Sequence, residues 1–279
     1  MVIMIEIFEL ISDMFSFTFM VRAIVVGLLV SLCAALLGVS LVLKRYAMIG
    51  TGLSNVGFAA MVIAGVIDVA PLALSIPVVI VTAFVLLRLN ESSKIKGDSA
   101  VALISTSGLA IGVIVMGVTT GITLHICNIL FGSIFAMTQA DMYLSIALSA
   151  VVIIIFVLFY KQLYAVTYDE SFAKATGTKV EVYKSMLALL TAVTVVLGMR
   201  MMGALLIASL TLFPALSAMR ICKRFRSVVI ASAIIGVICF FAGMVFSFAL
   251  DLPPGATVVG VNLIVFTVFS GVSLVKRGA

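Results

Sequence analysis

The chain has 279 residues, of which 64% are hydrophobic and only 10% charged, with a formal net charge of +6. A soluble domain carries roughly 45–50% apolar and about 25% charged residues, so a water-soluble globule is excluded: lipid must solvate what water cannot. The positive charge does not mark a nucleic-acid partner, because the basic residues sit in short clusters between apolar runs.

The apolar runs are unbroken over about 20 residues, the length of a membrane-spanning helix. Backbone groups in hydrocarbon must be bonded internally, which leaves helices or closed barrels, and barrel strands alternate apolar with polar residues. The pattern therefore predicts an all-α, polytopic helical bundle of about nine transmembrane helices, with eight as the alternative count. Residues 1–14, with Glu6, Glu9 and Asp13, read as an extracytoplasmic segment and lack the basic start of a signal peptide. Residues 15–279 read as one transmembrane domain. Its spans are predicted near 15–43, 49–67, 71–88, 99–120, 141–160, 185–200, 203–220, 228–250 and 257–275. The sixth and seventh are short and tightly joined, the pattern of a broken hairpin packed against protein.

Charge orients the spans. Lys44 and Arg45 follow the first, and Arg88, Lys94 and Lys96 the third. Lys161, Lys174, Lys179 and Lys184 follow the fifth, Arg220, Lys223, Arg224 and Arg226 the seventh, and Lys276 and Arg277 the ninth. With nine alternating spans all of these lie on one side, leaving only Arg22 and Arg200 of the 17 basic residues elsewhere. The positive-inside rule makes that side cytoplasmic, with the N-terminus outside and the C-terminus inside. Asp68, Asp141 and Asp251 fall on the opposite side.

Two connections stand out. The stretch 121–140 contains an apolar segment too short to span, which reads as re-entrant or surface-lying. In the cytoplasmic stretch 161–184, Thr167 and Glu170 have capping-box spacing and Gly177 is a natural helix stop, so a helix of about two turns is predicted from near Tyr168; the alternative is an ordinary loop.

Chemical motifs are sparse. There is no GxxxxGK[ST], HExxH, GxSxG or CxxC. Cys33, Cys127, Cys222 and Cys239 are scattered and read as small apolar residues or free thiols. The one histidine, His125, lies in an outside loop and reads as a solvated or packing residue. The fifteen methionines, Met199, Met201 and Met202 among them, read as flexible apolar filler. Arg200 either snorkels to the outer interface or meets an acidic partner there. No cofactor is implied. Polar groups inside spans are costly and face a cavity or another helix. In the second span Thr51 and Asn55 share a helix face, with Ser54 on the adjoining strip; they line a substrate path or pack helices. In the fourth span Gly108 and Gly112, then Gly117 and Gly121, form two GxxxG pairs that predict close helix or subunit contact.

The order of these segments resembles the permease subunit of bacterial ABC importers for divalent metals, the ABC-3 family of zinc, manganese and iron uptake. The markers run in order over about residues 16–277: Lys44-Arg45 with Met48-Ile49-Gly50, the segment Gly97 to Gly112, Ile129 to Ile134, Tyr168 to Val180, Met202 to Ala218 with Gly203 and Pro214, and Asp251 to Val259. The resemblance implies a permease domain working as two copies in membrane lipid, with separate cytoplasmic ATP-binding subunits and an extracytoplasmic metal-binding protein. The chain itself would then be no enzyme. It also implies that 161–184 supplies a coupling helix, with Asp169, Glu170, Phe172, Ala173 and Gly177 at the ATPase, and that Gly108, Gly112, Gly203 and Pro214 pack helices. One departure bears on cargo. Where the family commonly has Asp and His entering the second span, this chain has Thr51 and Asn55, neutral groups that are poor zinc ligands; no metal ligand is assigned. A gradient-driven transporter or channel, or a non-transporting membrane subunit, are the competing functional classes.

Overall fold

The computed structural model describes residue 14 and residues 16–91, 97–118 and 139–278. Expectations for Glu6, Glu9, Asp13, Lys94, Lys96, His125, Cys127 and the Ile129 to Ile134 segment lie outside the described residues. Among the described residues the secondary structure is helical throughout. The long helices are α1 (Thr18–Leu43), α2 (Ile49–Val66), α3 (Pro71–Glu91), α4 (Gly97–Val118) and α5 (Gln139–Leu158). Two short helices follow, α6 (Tyr160–Tyr168) and α7 (Glu170–Ala175). The bundle is completed by α8 (Val180–Met202), α9 (Ala204–Ile221), α10 (Phe225–Leu250) and α11 (Pro254–Gly278). Nine of the described helices, all but α6 and α7, are long and apolar enough to span a bilayer.

The helices are arranged in an inner and an outer set. α1 is the most enclosed, packed by α8, α9 and α10 along its length, while α3, α4, α5 and α11 keep most of their surface outward. Their exposed side chains are apolar, for example Val81, Leu103, Ile154 and Ile264, the composition that lipid tails accept. Close approach is set by small residues, as expected where dispersion and not water exclusion drives packing. A Cβ on Gly38 of α1 would collide with the backbone carbonyl of Thr211 on α9. Gly236 of α10 meets Ala35 of α1, and beside it Ser232 donates a 3.0 Å hydrogen bond to the Ala35 carbonyl.

Three spans end in the same turn. After α1 the Tyr46 amide donates to the Leu41 carbonyl and the Arg45 amide to Val42, a Schellman closure of the last carbonyls. α2 ends likewise with Val69 donating to Ala64, and α10 with Leu252 donating to Ser247. The left-handed position in each is not glycine but a charged residue: Arg45 at φ 60°, Asp68 at 57° and Asp251 at 53°. A charge there marks where the chain leaves the apolar layer, and the sign separates the two ends of the bundle, basic at one and acidic at the other.

Two sequence expectations need correction. The sixth span is not short: α8 begins at Val180, five residues before the predicted start, and runs 23 residues, whereas the seventh, α9, has 18 residues close to the expected bounds. The first turns of α8 are polar and escape an apolar-run criterion, yet Lys184 is ion-paired there and the helix continues through it. The hairpin joint is one residue, Gly203, at φ 86° and ψ 159°, a conformation open essentially only to glycine. Second, Thr167 caps nothing; it is buried inside α6, and the following helix starts at Glu170.

Gly38→Ala and Gly203→Ala are each expected to destabilise the chain by about 1–3 kcal/mol, through overpacking and backbone strain respectively. Gly65→Ala is the control, because nothing lies within 4 Å of its Cβ position; it should be neutral or stabilise by up to about 1 kcal/mol. Melting curves of the detergent-solubilised variants read the difference, and equal curves for all three would refute this account of the packing.

Candidate functional site

The polar groups collect at three places. The first is the face shared by α2 and α4. These helices run parallel, with Gly52 against Val101, Gly108 against Val56 and Gly112 against Phe58 and Ala59. The GxxxG pair Gly108–Gly112 thus meets α2 of the same chain, while Gly117 has nothing within 4 Å. The close approach places Asn55 of α2 beside Ser105 of α4, and the Asn55 Nδ2 donates to the Ser105 Oγ at 2.8 Å. Thr51 and Asn55 are half-buried on one strip of α2. Ser54 is buried, and its hydroxyl donates back to the Thr51 carbonyl at 2.9 Å, so it belongs to the helix more than to the strip. Ser105 was visible in the sequence only as one of three adjacent hydroxyl residues; nothing there paired it with a residue 50 positions away. All four groups are neutral oxygens or amides. No cluster of three His, Cys, Asp or Glu side chains occurs among the described residues.

The second place is the basic end, where α7 packs against α6 and the start of α8. Asp169 caps it: one carboxylate oxygen accepts from the amides of Ser171 (2.9 Å) and Phe172 (3.0 Å). The helix closes at Gly177, φ 82°, with Gly177 donating to Lys174 and Thr178 to Ala173. Between these stops the faces divide. Ala173 is fully buried in a small cluster with Val166 and Val180. Phe172 is 63% exposed, as is Tyr168 just before the helix at 77%. Glu170 turns inward, where its two oxygens take two different lysines: Oε1 meets Lys44 of the α1 end and Oε2 meets Lys184 of α8, both at 2.7 Å. Lys44 is pulled below the ordinary lysine value by burial, against the hydrogen bond and charge of Glu170. Burial alone would raise the Glu170 carboxyl; the hydrogen bonds from Lys184 and Lys44, with their charges, outweigh it and hold the group below the ordinary carboxylate value. Sequence reasoning listed these residues but joined none of them.

The third place is the opposite end. Arg200, in the last turn of α8, reaches Asp141 in the first turn of α5 at 2.7 Å. Of the two alternatives for Arg200, the acidic partner is the one present. Gly203 follows at the hairpin joint, and Pro214 is buried within α9, facing Gly236 of α10.

With this arrangement in hand, comparison with known proteins matches residues 16–273 to the ABC 3 transport family. The chain belongs to that family. Among relatives of this ABC 3 protein is the manganese transport system membrane protein MntC of Halalkalibacterium halodurans, 26% identical over 93% of this chain and 88% of that protein. Another is the high-affinity zinc uptake system membrane protein ZnuB of Haemophilus influenzae, 27% identical over 94% of this chain and 98% of that one. The fold is that of a chain in the solved structure of PsaBC from Streptococcus pneumoniae in complex with Fab, with a TM-score of 0.83 at 24% identity, covering 94% of each chain. This ABC 3 chain is accordingly a multi-pass helical membrane protein of that transport family.

The inward grip on α7 has a pH signature. Because the folded Glu170 carboxyl titrates below its ordinary value, its contribution is complete above the unfolded value of about 4.3 and is lost only as pH falls through the lower folded value. Pepsin cleavage at exposed Phe172, scaled to an unstructured peptide at each pH, should stay suppressed down to about pH 4 and rise below it. Loss of protection already at pH 5.5 would contradict the grip.

Proposed function

We propose that this chain is the membrane-spanning subunit of an ATP-driven importer of a divalent metal ion (zinc, manganese or iron) or of a metal complex. Two copies form the path, separate cytoplasmic ATP-binding subunits supply the energy, and an extracytoplasmic metal-binding protein delivers the cargo. The single observation that carries this reading is membership of the ABC 3 transport family over residues 16–273. Residues 15–279 act as one permease domain, with 1–14 and the N-terminus outside and the C-terminus in the cytoplasm. The charge separation of the two bundle ends supports that orientation.

Within this reading the stretch 161–184 couples the permease to the ATPase. Asp169 and Gly177 fix the two ends of α7, Glu170 and Ala173 seat it on the bundle, and Phe172 is left as an exposed aromatic anchor. Such an anchor is the kind of residue that dominates a protein interface. Thr51 and Asn55 lie along the path, with Ser54 buried behind them. Their neutral oxygens suit manganese or a metal complex better than tightly coordinated zinc, which favours Cys, His and carboxylate ligands.

The test is reconstitution of the chain with its ATPase and binding protein in liposomes. ATP-dependent accumulation of radioactive manganese(II) or zinc(II) is expected, and uptake at full rate with the ATPase omitted would refute the proposal. Phe172→Ala is expected to weaken ATPase association by about 2 kcal/mol, roughly thirtyfold, measured by titrating the ATPase onto the purified permease. Asn55→Ala, which removes the Ser105 hydrogen bond, should lower the uptake rate severalfold with ATPase association intact. Uptake at the parental rate would remove the α2–α4 strip from the path.

A further inference from the structure

If α7 is where the ATPase pushes, something must carry the push into the spans. α7 presents two side chains inward, Glu170 and Ala173, while Ser171, Phe172, Lys174 and Ala175 face out. Ala173 sits in a small cluster with Val166 of α6 and Val180 of α8, against which Ala165 and Tyr183 pack. Glu170 reaches further, and it reaches two spans at once.

We propose that Glu170, held between Lys44 and Lys184, is the joint that transmits movement of α7 to the α1–α2 turn and to α8. The inference rests on the importer reading above and adds to it a positioning role for three residues. Both lysines are sequestered, with side chains 5% and 7% exposed, while Glu170 is 38% exposed. At 2.7 Å each contact is a charge-assisted hydrogen bond, directional and hard to stretch. Glu181 is the weaker partner: it lies 4.0 Å from Lys184, and its charge adds only a minor attraction for Lys44.

What the two lysines are attached to gives the joint its consequence. Lys44 is the C-cap of α1, inside the rigid Schellman turn that leads to α2. Thr51 stands on the first turn of α2, and Asn55 one turn on, so Lys44 and the polar strip belong to one continuous piece of backbone. Lys184 stands in the second turn of α8, whose 23 residues make a rod of about 34 Å. The far end of that rod carries Arg200, bonded to Asp141. A displacement of Glu170 is therefore presented to the entry of the polar strip and, through α8, to the opposite end of the bundle. Both lysines line a small, mostly apolar cavity at the junction of α1, α2, α3 and α8, together with Tyr46, Ile49, Leu87 and Thr191.

The test uses the full complex of permease and ATPase in liposomes, with manganese(II) uptake and ATP hydrolysis measured on the same vesicles. For E170Q the expected result is assembly with the ATPase, hydrolysis within about threefold of the parent and uptake per ATP reduced at least tenfold; E170D recovers part of the uptake. A purely structural role would lower assembly, hydrolysis and uptake together, and that result overturns the joint. So does parental uptake per ATP in E170Q, with the importer reading left standing. Absence of ATP-dependent uptake in the parental complex would overturn the importer reading and the joint with it. If the E170Q permease does not fold, K44M removes one arm and leaves Glu170 on Lys184: uptake per ATP should fall at least threefold, and no fall overturns the joint.

Discussion

No water reaches a peptide group in the middle of a bilayer, and the rest of this architecture follows from that. Each backbone amide and carbonyl has to be bonded within its own helix, and helix ends have to fall where water or a turn can serve them. Three spans meet the second demand with the same closed turn and place Arg45, Asp68 or Asp251 at its left-handed position. A glycine would be less strained there. A charged residue instead pins the turn to the membrane surface, and the choice of sign gives the bundle its polarity.

With the backbone satisfied internally, helices hold together by fit, and the fit here is graded from inside to outside. α1 is gripped by α9 and α10 at positions where only glycine or alanine lets the backbones meet. α4 is held to α2 by Gly108 and Gly112, and otherwise shows apolar side chains outward. Among the described residues, charge taken out of water comes paired: Glu170 meets Lys44 and Lys184 at one end, and Asp141 meets Arg200 at the other. Burying any of these cations alone would be costly, so the contacts that bind elements together are also the ones that make the buried charges tolerable.

How much of this was legible in the sequence depended on the range of the interaction. Helical spans, their number and the two bundle ends come from composition along a continuous stretch, and these were readable. So was the stop at Gly177, a local backbone demand. Features that need two distant segments were not: Asn55 with Ser105, Arg200 with Asp141, and above all Glu170 with Lys44, 126 residues away. The start of α8 was misplaced for a related reason. Its first turns are polar in sequence, and only the ion pair from Lys184 to Glu170 shows why they are part of the packed helix. At the start of α7 two local signals competed; Thr167 has the spacing for a cap, but α6 already includes it and Asp169 accepts the free amides.

The α2–α4 strip has a property that follows from residue type alone. Thr51, Ser54, Asn55 and Ser105 have no group that gains or loses a proton between acid and alkaline conditions. An imidazole or carboxylate in the same place would change its charge as the medium outside the cell turned acid, and its hold on a cation would change with it. On the importer reading proposed above, the amide and hydroxyls would offer a passing ion side chains of unchanged charge whatever the acidity. Glu170, whose titration is shifted, lies away from this strip, at the basic end of the bundle.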